Sequence, residues 1–526
     1  MRKIITLSLS LAFFLSAKAQ LEYKDVAGIF YARCGSCHHE HMHAQSMLNY
    51  SETLPWVNSI QADLTSGHMP PWPPDTTYTR FVHERLISTP EKNAILSWIS
   101  TGSLMGDTTL APSAPSFPQY QLYGTPSLVL RIPTFASNAT NSTDVYNCFA
   151  IPTGLTQDQY LRAYEIIPGN PAIVHHVVVN VDTTGTIASS LTGNCFTEPG
   201  QFSIGGFTPG SGPTVFPGIA PLKAGIRLKT GSKLILQIHY PAGTQGQLDS
   251  TQIRLYFYPL SSTGIRPIYT TVPLQNWSMA MPANTVQTFT AKYPSSGGFT
   301  APISIFSAFP HSHKVCTSLK NYADNGTTTI PLIRENKWDF NWQGYYTFNN
   351  LVKIPVGYTL RSSHVYDNTT NNPNNPNSPP QTVVAGTSTG NEMLFDSFQW
   401  FYYQTGDETI DIASLYTGDS LLTAGVKQNV NVGATLKTFV YPNPAQGKVS
   451  IGYFLTTPSD VKIEIFDLHG KKLKMLSKKM DKSGAGELEW DTKGQSGEEI
   501  TDGVYFYTVI AGKSSASGKI VLTPGK

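Results

Sequence analysis

Apolar and polar positions change their rhythm several times along this chain. Residues 20–102 carry the clearly helical patterns. One is Tyr23 to Arg33; the other runs through Ile95, Leu96, Trp98 and Ile99, with Thr89 as N-cap, Pro90 in the first turn and Gly102 closing it. Residues 103–120 are rich in Ser, Pro, Thr and Ala and read as a linker. From about 121 to 418 short β-type runs take over: Ser127–Ile132, Ile173–Val181, Lys233–Tyr240, Gln252–Tyr258, Ile303–Phe309 and Phe398–Tyr403. Turn residues separate them, the pattern of an all-β sandwich. Asp367–Gln381 is Asn/Pro-rich and reads as a long loop, and 419–437 as a polar connector. From about 438 the alternation resumes in Val461–Asp467 and Gly503–Tyr507, as in a small antiparallel sandwich. No internal repeat stands out.

Composition agrees with several β-rich domains of extracellular type. The 526 residues include 43 Gly and 37 Pro, with 11% aromatic and only 14% charged residues. A net charge of +2 implies no nucleic-acid partner. Residues 1–19 read as a secretory signal: Arg2 and Lys3 start it, Ile4 to Leu15 is apolar, and Ala17-Lys18-Ala19 offers the cleavage site before Gln20. No later stretch has the length of a membrane-spanning helix. The chain has five Cys. Two fall in the motif below. Cys148, Cys195 and Cys316 remain, which allows at most one internal disulfide without saying which pair forms it.

Cys34-Gly35-Ser36-Cys37-His38 is a C-x-x-C-H run just after the signal. It reads as covalent attachment of one c-type haem, both thiols adding to vinyl groups and His38 serving as axial ligand. Zinc is a poorer reading, since it wants two further ligands at fixed spacing. Met69, in Gly67-His68-Met69-Pro70-Pro71-Trp72, is the expected sixth ligand, because a thioether favours ferrous iron. His68 is its rival; His39, His41 and His43 are further competitors. Residues 23–102 resemble a small class I-type cytochrome c domain.

Downstream lie His175-His176 in an apolar strand, His239 at the end of Leu234-Ile235-Leu236-Gln237-Ile238-His239-Tyr240, His311 and His313 in His-x-His, and Met393 in Asn391-Glu392-Met393. Residues two apart in a strand share a face, so His311 and His313 can grip one metal. Adjacent His175 and His176 share a metal only if the strand bulges or ends there. Imidazole suits copper, and a thioether biases a site toward Cu(I). Taken singly, His239 reads as a structural histidine and Met393 as core packing. His364 reads as structural or supporting, and Trp338, Trp342 and Tyr346 as sandwich core.

The four motifs in this order resemble the copper type II, ascorbate-dependent monooxygenases, the family of peptidylglycine α-hydroxylating and dopamine β-monooxygenases, over residues 118–418. The resemblance implies two jelly-roll-like β-sandwiches, 121–270 and 271–418, each holding one copper ion across a solvent gap. The first copper takes His175, His176 and His239; the second takes His311, His313 and Met393, the catalytic set. It implies hydroxylation of a C–H bond of a small organic substrate by O2, with electrons from ascorbate or a redox protein. The peptide-processing members carry a basic residue before His-x-His where this chain has Phe309 and Pro310, so a C-terminal glycine peptide is not the expected substrate. The few Cys do not reproduce the animal members' disulfide pattern. The fused haem suggests a relay from haem to first copper to second copper.

Residues from about 438 resemble the C-terminal sorting domain of type IX secretion. Tyr441-Pro442-Asn443-Pro444, Asp467-Leu468-His469-Gly470, Asp502-Gly503-Val504-Tyr505 and the basic end near Lys519 and Lys526 carry that likeness. The expected fold is mainly β, with a small α-helical domain first and a small β-sandwich last. The expected location is the surface or medium of a Gram-negative bacterium, reached through outer-membrane secretion machinery. The competing readings are a non-enzymatic haem/copper electron-transfer or copper-binding surface protein, and a carbohydrate- or surface-binding β protein with incidental His. No hydrolase triad order or phosphate-cradling loop is present.

Overall fold

The computed structural model describes residues 20–422 and 436–523, apart from positions 41, 43, 118–119, 194, 196–199, 209–210, 418, 442, 444, 456–457, 469, 480–483 and 513. The secretory signal, His41, His43, His469, Lys526, two prolines of the 441–444 motif and most of the 419–437 connector lie outside the described residues. The chain is mainly β, with its helices concentrated near the start, and divides into two compact units, residues 1–424 and 425–526.

The helical part is Tyr23–Arg33, Tyr50–Thr53, Val57–Ser66 and Thr89–Ser100. Its core is Val26, Phe30, Ile60, Leu64, Ile95 and Trp98. Gly67 ends the third helix in the left-handed conformation, φ 74°, that a residue without a Cβ adopts freely. The last helix is capped by Ser88 rather than Thr89: Ser88 is extended and forms a reciprocal capping box with Glu91. Two segments leave the places expected of them. Residues 104–117 clad the helices instead of spacing them from the next domain. The Leu104 carbonyl accepts from Tyr23 N–H at 2.9 Å and from Trp98 Nε1 at 3.0 Å, and Phe117 stacks on His39 at 4.5 Å. Residues 72–84, between the helices in sequence, lie on the second sandwich. There Phe81 bridges Phe348, Val82 N–H donates to Thr347 O at 2.8 Å, and Arg334 pairs with Asp75 at 2.7 Å.

The first sandwich sets Leu128–Arg131, Gln252–Phe257, Gln159–Ile167, Leu222–Leu228 and Ile265–Pro267 against Val145–Pro152, Lys233–Tyr240, His176–Asp182 and Gln201–Phe207. Alternate residues of each strand point inward, and Leu161, Val177, Val179, Leu234, Leu236 and Ile253 fill the space between. A disulfide joins Cys148 and Cys195 beside this core; Cys316 is buried and free.

In the second sandwich, Tyr269–Gln275, Phe395–Tyr402, Ile303–Phe309 and Tyr346–Ile354 face Thr285–Tyr293, Thr359–Asn368, Cys316–Asp324 and Thr329–Glu335. Leu274, Ile305, Ala323, Leu332, Leu360 and Phe398 form its core. The two sandwiches are continuous. Phe306, Leu351 and Phe401 of the second, and Ile412 and Leu415 of the helix Ile412–Thr417, join the apolar cluster of the first. The segment 271–418 therefore ends on a short helix packed into the other sandwich, with Tyr416 donating to Val215 O at 2.9 Å.

The second unit is built from three- and four-stranded sheets around Val449, Ile451, Tyr453, Ile463, Trp490 and Val509, a core of its own.

Candidate metal centres

His176 opens a strand and His239 nearly closes one, and the two are cross-strand partners. His175 sits just ahead of its strand, its N–H donating to His239 O at 3.0 Å. Because the strand begins between them, the adjacent histidines are free of the alternation that sends neighbours to opposite faces. The three imidazoles meet: His175 Nδ1 is 3.2 Å from His176 Nδ1 and 3.2 Å from His239 Nδ1. One ligand atom from each lies within 4.8 Å of the others.

Asp144 fixes the tautomer of His239. Its Oδ2 is 2.9 Å from Nε2, so Nε2 carries the proton and donates while Nδ1 turns its lone pair to the other rings. Tyr146 stacks on the same ring at 4.4 Å. Burial lowers the pKa of His239 despite Asp144, and burial with the charges of His239, His175 and His311 lowers His176 to about 3. These two rings are therefore neutral at physiological pH, the form that ligates metal.

His311 and His313 lie just past the end of Ile303–Phe309, not within it, so strand alternation is not what aligns them. Their rings sit 5.2 Å apart at 88°. His311 Nδ1–H donates to Gln343 Oε1, whose amide nitrogen is held by Phe340 O at 2.6 Å; His313 Nδ1–H donates to Asn391 O at 3.1 Å. Both leave Nε2 as the available donor atom, opposite to His239. Burial lowers both rings, His313 to about 3.

Glu392 ties Met393 to this pair. Fully buried, it accepts from the N–H groups of His313 at 2.8 Å, Val315 at 2.8 Å and Met393 at 2.9 Å, while burial raises it to about 7. Ser312 and Tyr366 hydroxyls both reach Met393 O at 2.8 Å. His364 lies 2.8 Å from Ser312 Oγ and 3.1 Å from Asp396, whose other oxygen accepts from His311 N–H at 3.2 Å. His364 is thus a brace under the His-x-His turn.

Cys34, Cys37 and His38 occupy one turn after the first helix: Cys37 and His38 N–H both donate to Cys34 O, at 3.0 and 2.9 Å. Neither thiol is in a disulfide, and both are half-buried. His38 Nδ1–H donates to Gln45 O at 2.9 Å, leaving Nε2. Burial lowers His38, opposed by Gln45 and the charge of Asp63. Asp63 also holds His68, Nδ1 to Oδ1 at 3.2 Å, and the other ring nitrogen of His68 lies 3.7 Å from Asp339 of the second sandwich. Met69 follows, half-buried, its N–H on Asp63 O at 3.4 Å. A cavity of about 160 Å³ lies beside the Cys turn, lined by His39, Glu40 and Met42 on one side and by Ile166, Phe207 and Thr214 of the first sandwich on the other.

Sequence reasoning missed Asp144, Gln343, Asp396 and the bracketing role of Glu392. Only Glu392 carried a signal, its place beside Met393. The others reach their histidines from segments far away in sequence.

Residues 439–523 match the family described as secretion system C-terminal sorting domain. Those residues are a secretion sorting domain. The chain is accordingly a secreted or cell-surface protein of the Bacteroidetes type, handed to outer-membrane secretion machinery. No curated protein matches. Solved structures with some likeness include the Porphyromonas gingivalis type-IX secretion component PorZ, at 20% identity and TM-score 0.14, covering 26% of this chain and 14% of that one. Latent PorU of the same organism matches at 12% identity and TM-score 0.16, covering 73% and 34%. A Bifidobacterium dentium β-glucuronidase matches at 9% identity and TM-score 0.13, covering 50% and 49%. The chain spans less than two thirds of each, and likeness this slight bears on neither fold nor site.

Proposed function

We propose that the first unit is a copper-dependent monooxygenase of the two-site, jelly-roll kind, fed by a fused c-type haem. The carrying observation is the meeting of His175, His176 and His239, with Asp144 turning the His239 lone pair toward the other two rings. Three imidazoles fit copper, and two imidazoles beside a thioether-bearing residue fit Cu(I). Copper held there supplies one-electron chemistry and dioxygen activation, and haem on Cys34, Cys37 and His38 supplies an electron carrier.

The chain's own residues then have distinct tasks. Asp144 and Gln343 fix ring tautomers, Glu392 keeps Met393 beside His313, and Met69 rather than His68 would join His38 in holding haem, because both His68 nitrogens face carboxylates. His311 lies within electrostatic reach of His176 inside one unit. Overall, one atom of O2 enters a C–H bond of a small organic substrate and the other leaves as water, consuming two protons and two electrons from ascorbate or a redox protein. Phe309 and Pro310 beside His311 offer no cation for a substrate carboxylate.

The test is the holo-protein with iron and copper counted. With haem reduced and O2 added, the haem should reoxidise in step with a product one oxygen heavier, and His239→Ala should abolish both. Metal uptake without oxygen consumption would instead make the protein an electron carrier or copper-binding surface protein. A haem that stays reduced while ascorbate alone drives product would end the relay.

A further inference from the structure

Glu335 ends the strand Thr329–Glu335, is fully buried, and offers both carboxyl oxygens to no hydrogen-bond donor among the described residues. The buried indole N–H groups of Trp72 and Trp342 are likewise without an acceptor. All three belong to one joint. Pro74 bridges Glu335 as an antiparallel partner, and Asp75 N–H donates to Arg334 O at 2.8 Å. Trp72 packs edge-on against Tyr346 at 5.4 Å, the Tyr346 hydroxyl reaches Trp342 O at 3.4 Å, and Glu335 lies within electrostatic reach of Tyr346. This is where residues 72–84 of the helical part cross onto the second sandwich.

Buried polar groups are almost always satisfied, by protein or by internal water. A water molecule accepts two hydrogen bonds and donates two. Two indole N–H donors and a carboxyl acceptor match that capacity.

We propose that Glu335, Trp72 and Trp342 form an internal polar site that takes a neutral hydrogen-bonding guest, water, and that this site seals residues 72–84 onto the second sandwich only while the Glu335 carboxyl keeps its proton.

The charges around it favour the neutral form. Asp396 and Asp339 add negative charge, Arg334 is committed to Asp75 at 2.7 Å, and His68 faces Asp339 at 3.7 Å. Arg85 acts on Tyr346, and the buried Cys316 thiol feels Glu335. Burial first, then Asp396 and Asp339, holds the carboxyl well above the ordinary carboxylate range. The docked form therefore keeps a proton that a form with Glu335 more open to water releases at lower pH, nearer the ordinary carboxylate range. Docking is strongest below that range and weakens as pH rises toward the docked pKa, by up to about tenfold per pH unit in the docking equilibrium.

Hydrogen exchange on the full chain reads this directly, in the segment whose Val82 amide donates to Thr347 O. Corrected protection of residues 72–84 should fall, by up to about tenfold per unit, as pH rises above the ordinary carboxylate range in the wild type. In Glu335→Gln it should be flat and exceed the wild type at the upper end. An infrared band of a protonated carboxyl should be present at about pH 6 and absent from Glu335→Gln. Should that variant misfold, Trp72→Phe serves: it removes one donor and should lower protection severalfold at the acid end while keeping the slope. Protection independent of pH in the wild type, or no protonated-carboxyl band, overturns the proposal. Neither readout involves copper, haem or substrate, so this outcome is separate from that of the monooxygenase reading.

Discussion

Asp144 shows how much the candidate site of His175, His176 and His239 depends on a residue outside the three. Its carboxylate, 2.9 Å from His239 Nε2, removes one of two tautomers and aims the remaining lone pair at His175 and His176. Partners of this kind govern both orientation and ligand basicity. Asp144→Ala should therefore weaken Cu(I) binding at the first site by about 10- to 100-fold while leaving the His311–His313 site unchanged, as read by competition with a Cu(I) chelator. Equal affinity in the variant would deny Asp144 this role. The six downstream residues stood out in the sequence as candidate ligands by the order of their motifs, and of them the structure brings ligand atoms of His175, His176 and His239 within 4.8 Å of one another. Asp144 did not stand out, because only the pairing of Val145–Pro152 with Lys233–Tyr240 sets Tyr146 opposite His239 and brings Asp144 to its ring. Gln343 and Asp396 were hidden for the same reason: long-range pairing is not written in local pattern.

At the scale of elements, short apolar runs bounded by turn residues made the strands readable. Lys233–Tyr240 and Ile303–Phe309 stand where those runs put them, and each is buried on both faces. Coil that docks by a few contacts left no such trace. Residues 103–120 have a linker's composition, yet Leu104 and Phe117 anchor the 104–117 stretch to the helices. The expected helix start at Thr89 slipped by one residue, since Ser88 and Thr89 are both good caps and only Ser88 completes a box with Glu91. Close strand contact is another feature that sequence understates. A Cβ on Gly206 would run into the Val177 carbonyl, one residue from His176. Gly206→Ala should thus push Gln201–Phe207 off His176–Asp182, costing about 1–3 kcal/mol in denaturant unfolding and loosening copper binding at the first site. An unshifted midpoint would mean that the strand pair absorbs the methyl group.

At the scale of the whole molecule, the division into two units has a functional consequence. Val449, Ile463, Trp490 and Val509 give the second unit a closed core, and none of the candidate metal ligands comes from it. Its sorting character was legible because turn motifs at the chain end carry it; the continuity of the two sandwiches through Phe306, Phe401 and Ile412 was not, since each segment reads as an ordinary apolar run. Export and metal binding should accordingly separate. On the proposed function, a chain lacking residues 425–526 should still take up iron and copper in the periplasm, because every candidate donor side chain lies before residue 425. It should fail to reach the cell surface or medium, because the residues matched to the sorting family are gone. Cell fractionation with metal counting reads both halves. Truncated protein appearing outside the cell would make the second unit an accessory module, and truncated protein without copper would show that the first unit needs the second to build its sites.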